Sequence, residues 1–377
     1  MGQNKKSLYI HIPFCKSKCH YCSFVSYLDK NHYFNDYINT LSIELKNKLN
    51  LGELLTTIYI GGGTPSLLPI ELYELLFITI NELAKIDDNA EVTMEVNPGT
   101  VNDEYLCSLR KLGINRLSIG VQSFDDKLLM LANRPHNSAD AVTIVNSARK
   151  AGFDNISIDL IYGLPTQDEI SWSNTLITAV GLDVEHISTY GLKIESGTFF
   201  AGHPSSIFPD EDKCAELYLQ TIDFLTKNGY KHYEISNFAK NRPDTLEHFE
   251  SRHNINYWQN NEYIGVGVAA HGYIDEVRYA NTTNFGDYLS NPNKQAYEHT
   301  VTSKEKIEEA IFLGLRMTVG LNLNEFKNKY DVDIAEKYRS VIDKYTVSGH
   351  LEMDSAGLRL TREGILLSNT VLSEFLE

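Results

Sequence analysis

The sequence predicts an α/β protein: a partial (β/α)6 TIM-like barrel followed by a smaller, mostly helical, winged-helix-like domain. Three observations lead there. Short apolar runs alternate with segments of helical periodicity as far as Tyr230. One helix–strand unit echoes the next at a fixed offset. Beyond about Thr302 the pattern changes to amphipathic helices and a two-stranded ribbon.

The candidate strands are Leu8–Pro13, Thr57–Ile60, Glu91–Val96, Arg116–Val121, Ile156–Ile161 and His186–Tyr190. Between them lie candidate helices Asp36–Leu49, Glu71–Ala84, Asp103–Leu112, Ala139–Ala151 and Asp168–Val180. In the first of these, Ile38, Leu41, Leu45 and Leu49 share a face. Strand alternating with helix implies a parallel sheet covered by helices, an incomplete barrel or, as the alternative, an open doubly wound sheet. Leu109–Gly120 (LRKLGINRLSIG) and Ala148–Asp159 (ARKAGFDNISID) align without gaps at an offset of 39 residues. Each reads as a helix end, a glycine able to take the left-handed stop, and a strand. Beyond Tyr230 the pattern becomes irregular. From Thr302 onwards the spacing predicts helices over Lys306–Arg316 and Ile334–Tyr345, a hairpin in HLEMDSAGLRLT and a closing helix. The expected division is a core domain over 1–240, a linking region over 241–301 and a C-terminal domain over 302–377.

The chain has 377 residues, 42% hydrophobic and 22% charged, which is ordinary for a globular protein. Its net charge of −16 argues against a partner that is a nucleic acid. No apolar run long enough to span a bilayer and no leader-like start are present, so a cytoplasmic protein is expected. Five cysteines with three clustered do not suit a secreted disulfide framework.

Those three, Cys15, Cys19 and Cys22, stand at C-x3-C-x2-C just after the first strand. A structural zinc site wants four ligands and finds no second pair at the usual spacing, although His20 is adjacent. A redox disulfide leaves the third thiol over. Core cysteines would not be interrupted by Lys16, Ser17, Lys18 and His20. An iron–sulfur cluster fits better, because thiolates are its usual ligands and three of them leave one iron of a cubane open for a small molecule.

Polar groups recur where the later strands end, which is where barrels keep their functional residues. Gly61-Gly-Gly-Thr-Pro65 follows the second strand, Glu95-Val-Asn-Pro98 the third and Gly120-Val-Gln-Ser123 the fourth. Arg134 could clamp a carboxylate through two parallel bonds. Asp159 stands in an otherwise apolar strand and needs a partner there.

The cysteine loop, with Tyr21 before its last thiol, resembles that of the radical S-adenosylmethionine (SAM) superfamily. The resemblance implies a [4Fe–4S] cluster on Cys15, Cys19 and Cys22 whose open iron chelates the methionyl group. In that superfamily an electron from the cluster cleaves a carbon–sulfur bond to give a 5′-deoxyadenosyl radical. Within it, the chain is similar to the oxygen-independent coproporphyrinogen dehydrogenases from about Ser7 to Phe238, and more loosely beyond. Tyr9 lies six residues before the first thiol, in Y-x-H-I-P-F-C. Tyr9, Tyr21, Gly62, Gly63, Thr64, Glu95, Gln122, Arg134, Asp159 and Gly191 match positions that hold SAM in that family.

Two departures separate the chain from the dehydrogenases. Their loop carries a fourth cysteine where Phe24 stands here, and an N-terminal lid for which the 14 residues before Cys15 are too few. A third feature, H-N-x-x-Y-W at His253, Asn254, Tyr257 and Trp258, resembles the signature of the haem chaperones related to them. That resemblance implies haem as cargo, with His253 as candidate ligand and the aromatics against the porphyrin. It also implies delivery to a haem-requiring acceptor, such as a respiratory protein, and an electron donor for the cluster. A homodimer and a peripheral membrane contact are compatible with it. The alternative is coproporphyrinogen III oxidation itself. Gly265–His271 resembles a further family loop in which Ala269 replaces a glycine, and no role follows for His271.

Overall fold

The computed structural model describes residues 5–241, 248–355 and 357–376. Six parallel strands run side by side in chain order: β1 (Lys5–Ile12), β2 (Leu54–Gly62), β3 (Lys85–Val96), β4 (Arg116–Gln122), β5 (Ile156–Tyr162) and β6 (His186–Gly191). Helices α1 (Phe34–Lys48), α2 (Ile70–Leu83), α3 (Asp103–Lys111), α4 (Asp126–Leu131), α5 (Ser138–Lys150) and α6 (Glu169–Gly181) fill the crossovers. The predicted units are all present, with boundaries moved by a few residues. β1, β2 and β3 start earlier than expected. Lys5–Lys6, Leu54–Leu55 and Lys85–Ile86 pair at that end of the sheet, separated from the predicted runs by irregularities in the strand register.

The echoed units share one geometry. Gly113 (φ +100°) and Gly152 (φ +87°) end α3 and α5 in the left-handed region. The next residues close the stop, Ile114 N–H on Leu109 O and Phe153 N–H on Ala148 O, both at 3.1 Å.

The irregular stretch after Tyr230 is ordered as further strands. Helix α7 (Glu211–Lys227) leads into the hairpin β7 (Tyr230–Glu234) and β8 (Asn237–Lys240), which adds antiparallel to β6. After helix α8 (Arg252–Trp258), β9 (Tyr263–Val266) adds parallel to the free side of β1. Strands β10 (His271–Ile274), β11 (Val277–Asn281) and β12 (Gln295–Thr300) follow antiparallel. The stretch read as a linking region therefore contributes four strands to the core sheet. The result is a 12-stranded open sheet, β12-β11-β10-β9-β1-β2-β3-β4-β5-β6-β8-β7. These strands are short and carry mixed side chains, and the β10–β11 turn uses Asp275 and Glu276 at positive φ in place of the glycine that usually marks such a hairpin. The sheet curls. Around α8, Ser251 N–H reaches Tyr233 Oη on β7, and His253 N–H reaches Glu91 Oε1 on β3.

The C-terminal part has its own core, built on Ile311, Leu315, Phe326, Ile342, Leu358 and Phe375. Its first helix is Ser303–Gly314, capped by Thr302 and Glu305. The helix expected over Ile334–Tyr345 is broken at Tyr338 into Ile334–Lys337 and Arg339–Val347. Leu351–Met353 pairs with Leu358–Leu360 as the ribbon. Arg316 joins the two parts: its guanidinium lies 4.4 Å from the Trp258 ring centre, and its carbonyl accepts from Ile235 N–H.

Candidate active site at the C-terminal ends of the parallel strands

The cysteine loop leaves β1 at Pro13 and is pinched at its neck. Tyr27 N–H donates to Pro13 O at 2.7 Å, and Cys15 N–H donates to Tyr27 O at 3.1 Å. Beneath the neck, His11 bonds to Val25 O through Nε2 at 3.0 Å and to Tyr9 Oη through Nδ1 at 2.9 Å. A carbonyl only accepts, so Nε2 carries the hydrogen and Tyr9 donates to Nδ1. Burial lowers the His11 pKa to about 4, which keeps this arrangement neutral. The loop is also stitched to the end of β2: Gly63 N–H donates to Ile12 O and Thr64 N–H to Phe14 O. Glycine is required at this seam. A Cβ on Gly62 (φ +118°) would sit 2.6 Å from the His11 ring, and one on Gly63 would sit 2.6 Å from Phe14 O.

All three thiols are half-buried and line one cavity of about 390 Å³. Thr64 Oγ1 approaches Cys15 Sγ at 3.7 Å, and Arg134 Nη1 donates to Cys19 Sγ at 3.2 Å. Burial raises the Cys22 pKa, and a metal would have to reverse that shift. Tyr21, Gly62, Gly63, Thr64, Glu95, Gln122, Arg134, Asp159 and Gly191 line the same cavity. Tyr9 does not. Its side chain lies below the cavity on His11, beside Tyr59.

Arg134 sits at the centre of the polar groups. Nη2 donates to Asn97 Oδ1 at 2.6 Å and to Gly120 O at 2.7 Å, while its buried Nε has no partner in the protein. Asn97 in turn donates to Thr64 Oγ1 at 3.1 Å. Glu95 accepts from Tyr59 Oη at 2.9 Å and from Gly62 N–H at 3.0 Å. Burial, then the charge of Asp159, raises the Glu95 pKa to about 7. Asp159 is held by Ser118 Oγ at 3.0 Å, and burial raises its pKa also. Gln122 is in the left-handed region (φ 68°) at an irregularity in the β4–β5 pairing, a conformation rarely taken by residues other than glycine. Sequence reasoning singled out neither Asn97 nor Tyr59. Asn97 was visible only inside the quoted Glu-Val-Asn-Pro, and the Tyr59–Glu95 bond depends on the pairing of β2 with β3.

The H-N-x-x-Y-W motif forms α8, near the opposite end of the sheet. His253 is 1% exposed. Its Nδ1 bonds to Thr57 Oγ1 at 2.7 Å, its Nε2 bonds to Tyr257 Oη at 2.8 Å, and its ring stacks on Tyr59 at 5.2 Å. Burial, then the charge of Arg116, lowers its pKa to about 3. Asn254 N–H is capped by Ser251 Oγ, and Trp258 lies under Arg316. His253, the expected haem ligand, is held here by partners within the protein. Both ring nitrogens are engaged, and the motif packs the base of the sheet against the C-terminal part.

Two family models match: the radical SAM superfamily over residues 9–178 and the HemN C-terminal domain over 301–367. A protein of Lactococcus lactis named heme chaperone HemW is 38% identical, covering 100% of this chain and 98% of its own. The heme chaperones HemW of Bacillus subtilis (38%; 98% and 99% covered) and Escherichia coli (33%; 98% of each) are similar throughout. The chain belongs to the HemW family. In fold, this HemW-family chain is like the coproporphyrinogen III oxidase HemN of Escherichia coli, with a TM-score of 0.87 at 24% identity over 99% of this chain and 90% of that one.

The radical SAM superfamily implies a [4Fe–4S] cluster and SAM, and the residues fit both. Among the described residues no three His, Cys, Asp or Glu side chains converge as a single metal ion would need. Three thiols facing one cavity suit a larger body whose irons each take one. The orphaned Arg134 Nε, with two carboxyls and an amide on the same wall, suits a zwitterionic ligand bearing a carboxylate and hydroxyls. When bound, the cluster supplies one-electron chemistry to SAM. The protein's part is to hold, orient and partly enclose both.

Proposed function

We propose that this protein is a haem chaperone that binds a [4Fe–4S] cluster and SAM and passes haem to a haem-requiring acceptor. The observation that carries the reading is similarity along the whole chain to proteins named heme chaperone HemW. In this reading Cys15, Cys19 and Cys22 hold the cluster. Arg134, Gln122, Glu95 and Asp159 hold SAM, with the Gly62–Thr64 seam as backbone wall. The protein works in the cytoplasm, which is compatible with the absence, among the described residues, of any helix long and apolar enough to cross a membrane. The test is an anaerobic haem titration of purified protein, followed by transfer to an apo-haemoprotein. Stoichiometric Soret absorbance and its movement to the acceptor are expected, and no absorbance change in the wild type overturns the reading.

A second reading, oxidative decarboxylation of coproporphyrinogen III, is favoured by the complete set of cavity groups. A fully clustered sample given SAM, reductant and coproporphyrinogen III would then yield protoporphyrinogen IX. Haem uptake without that product decides for the chaperone.

A further inference from the structure

An imidazole with a bare nitrogen beside exposed apolar surface is one means of holding haem. His253, His11 and His186 have both ring nitrogens engaged. Two other histidines are arranged differently. His20 Nδ1 lies 2.8 Å from Leu131 O, and His203 Nδ1 lies 3.1 Å from Phe199 O. A carbonyl can only accept, so in each neutral ring Nδ1 bears the hydrogen and Nε2 keeps the lone pair. Fixing the tautomer through a backbone carbonyl is how proteins prepare a histidine for a metal.

The surroundings suit a porphyrin. Both rings lie against Phe199, His20 stacked at 3.8 Å between ring centres and His203 tilted at 4.6 Å. Phe199 is 55% exposed, Met130 at the end of α4 is 71% exposed, and Phe24 on the cysteine loop is 67% exposed. Three backbone contacts hold this patch together: His20 N–H on Ala132 O, Phe200 N–H on His20 O and His203 N–H on Phe200 O. An exposed apolar patch beside two imidazole lone pairs not used within the protein suits a cargo that is itself flat, apolar and metal-centred.

We infer that haem docks on this patch, with His20 Nε2 as axial ligand, Phe199 and Met130 as apolar floor and His203 as the second imidazole within reach. The inference rests on the haem-carrying reading and names where the cargo sits. The step is ligand exchange. Nε2 donates its lone pair to ferric haem iron, a water leaves the iron, and no electron or proton moves. A porphyrin bound there stands perpendicular to the imidazole, and so meets the parallel Phe199 ring edge-on.

The test is titration of cluster-loaded protein with ferric haem, read by Soret absorbance and by the paramagnetic resonance of the bound iron. Wild type, His20→Ala, His203→Ala and Phe199→Asp are compared at equal iron and sulfide content. His20→Ala is expected to weaken binding at least tenfold and to lose the imidazole-ligated signal. Phe199→Asp, which removes the apolar ring but keeps both imidazoles, should also weaken it at least tenfold, and His203→Ala less. Wild-type affinity and spectrum in both His20→Ala and Phe199→Asp overturn the site while leaving the chaperone reading standing. A loss in His20→Ala alone, with Phe199→Asp unchanged, also overturns it. No uptake by the wild type overturns both.

Discussion

Replacing His253 by alanine separates a structural role from a ligand role. The substitution deletes a ring that is 1% exposed and stacked on Tyr59. It also strips Thr57 Oγ1 and Tyr257 Oη of their partners. Truncating a buried ring costs about 3–5 kcal/mol when the site cannot collapse. Each stranded hydroxyl belongs to the same order, about 1–3 kcal/mol, though relaxation makes the sum smaller than its parts. A loss of about 4 kcal/mol lowers the unfolding midpoint of a domain this size by about 10 °C. Thermal unfolding by circular dichroism measures it, with haem uptake of the folded protein at 20 °C as the companion assay. The expected outcome is a destabilised protein that still takes up haem. A variant with the wild-type midpoint and no haem uptake would refute the reasoning, because it would make His253 a ligand and not a strut.

Four further outcomes are expected. Burial lowers His253 to about 3 and His11, His136 and His232 to about 4, against an ordinary value of 6.5. The unfolded chain then binds protons that the native protein refuses, so urea midpoints should fall steadily as pH drops from 6.5 towards 4. Glu95 shifts the other way, to about 7 from 4.5, so its burial costs stability as pH rises through that window. Glu95→Gln should therefore match wild type near pH 4.5, gain on it up to pH 7 and hold the advantage above, as urea midpoints at three pH values would show. Cys19→Ala should lose iron and sulfide after anaerobic purification, whereas Cys107→Ala, outside the loop, should keep both. Arg134→Lys keeps the charge but not the fork to Asn97, Gly120 and Cys19, and equilibrium dialysis should show SAM binding at least tenfold weaker.

The parallel half of the fold was legible because buried parallel strands leave long apolar runs between helices, as in Ile156–Tyr162. The strands from Tyr230 to Thr300 were not, because edge and antiparallel strands such as Val277–Asn281 mix polar and apolar residues and turn on non-glycine residues. The cysteine loop was legible from spacing alone, since three thiols so close have few uses. Asp159 was legible because a charge is rare in an apolar strand, whereas Arg134 was legible only beside the other strand-end groups and the family resemblance. Asn97 and Tyr59 act through neighbours on other strands, and a single sequence does not display strand pairing. His253 shows the converse limit. A motif names residue types, but the side of α8 that faces the sheet is decided by Thr57, Glu91 and Tyr233, far away in the chain.

The position of β9 beside β1 sets an order of assembly. β1 leaves the ribosome well before β9, so one of its edges stays uncovered until Tyr263–Val266 has been made. At ribosomal rates of about 5–20 residues per second, that wait is on the order of tens of seconds. During it, a strand with an open edge and a loop of three thiols must be kept from wrong partners. An early strand is thus closed late, and the cell has a window in which the cysteine loop is made but its supporting strand is still open on one side.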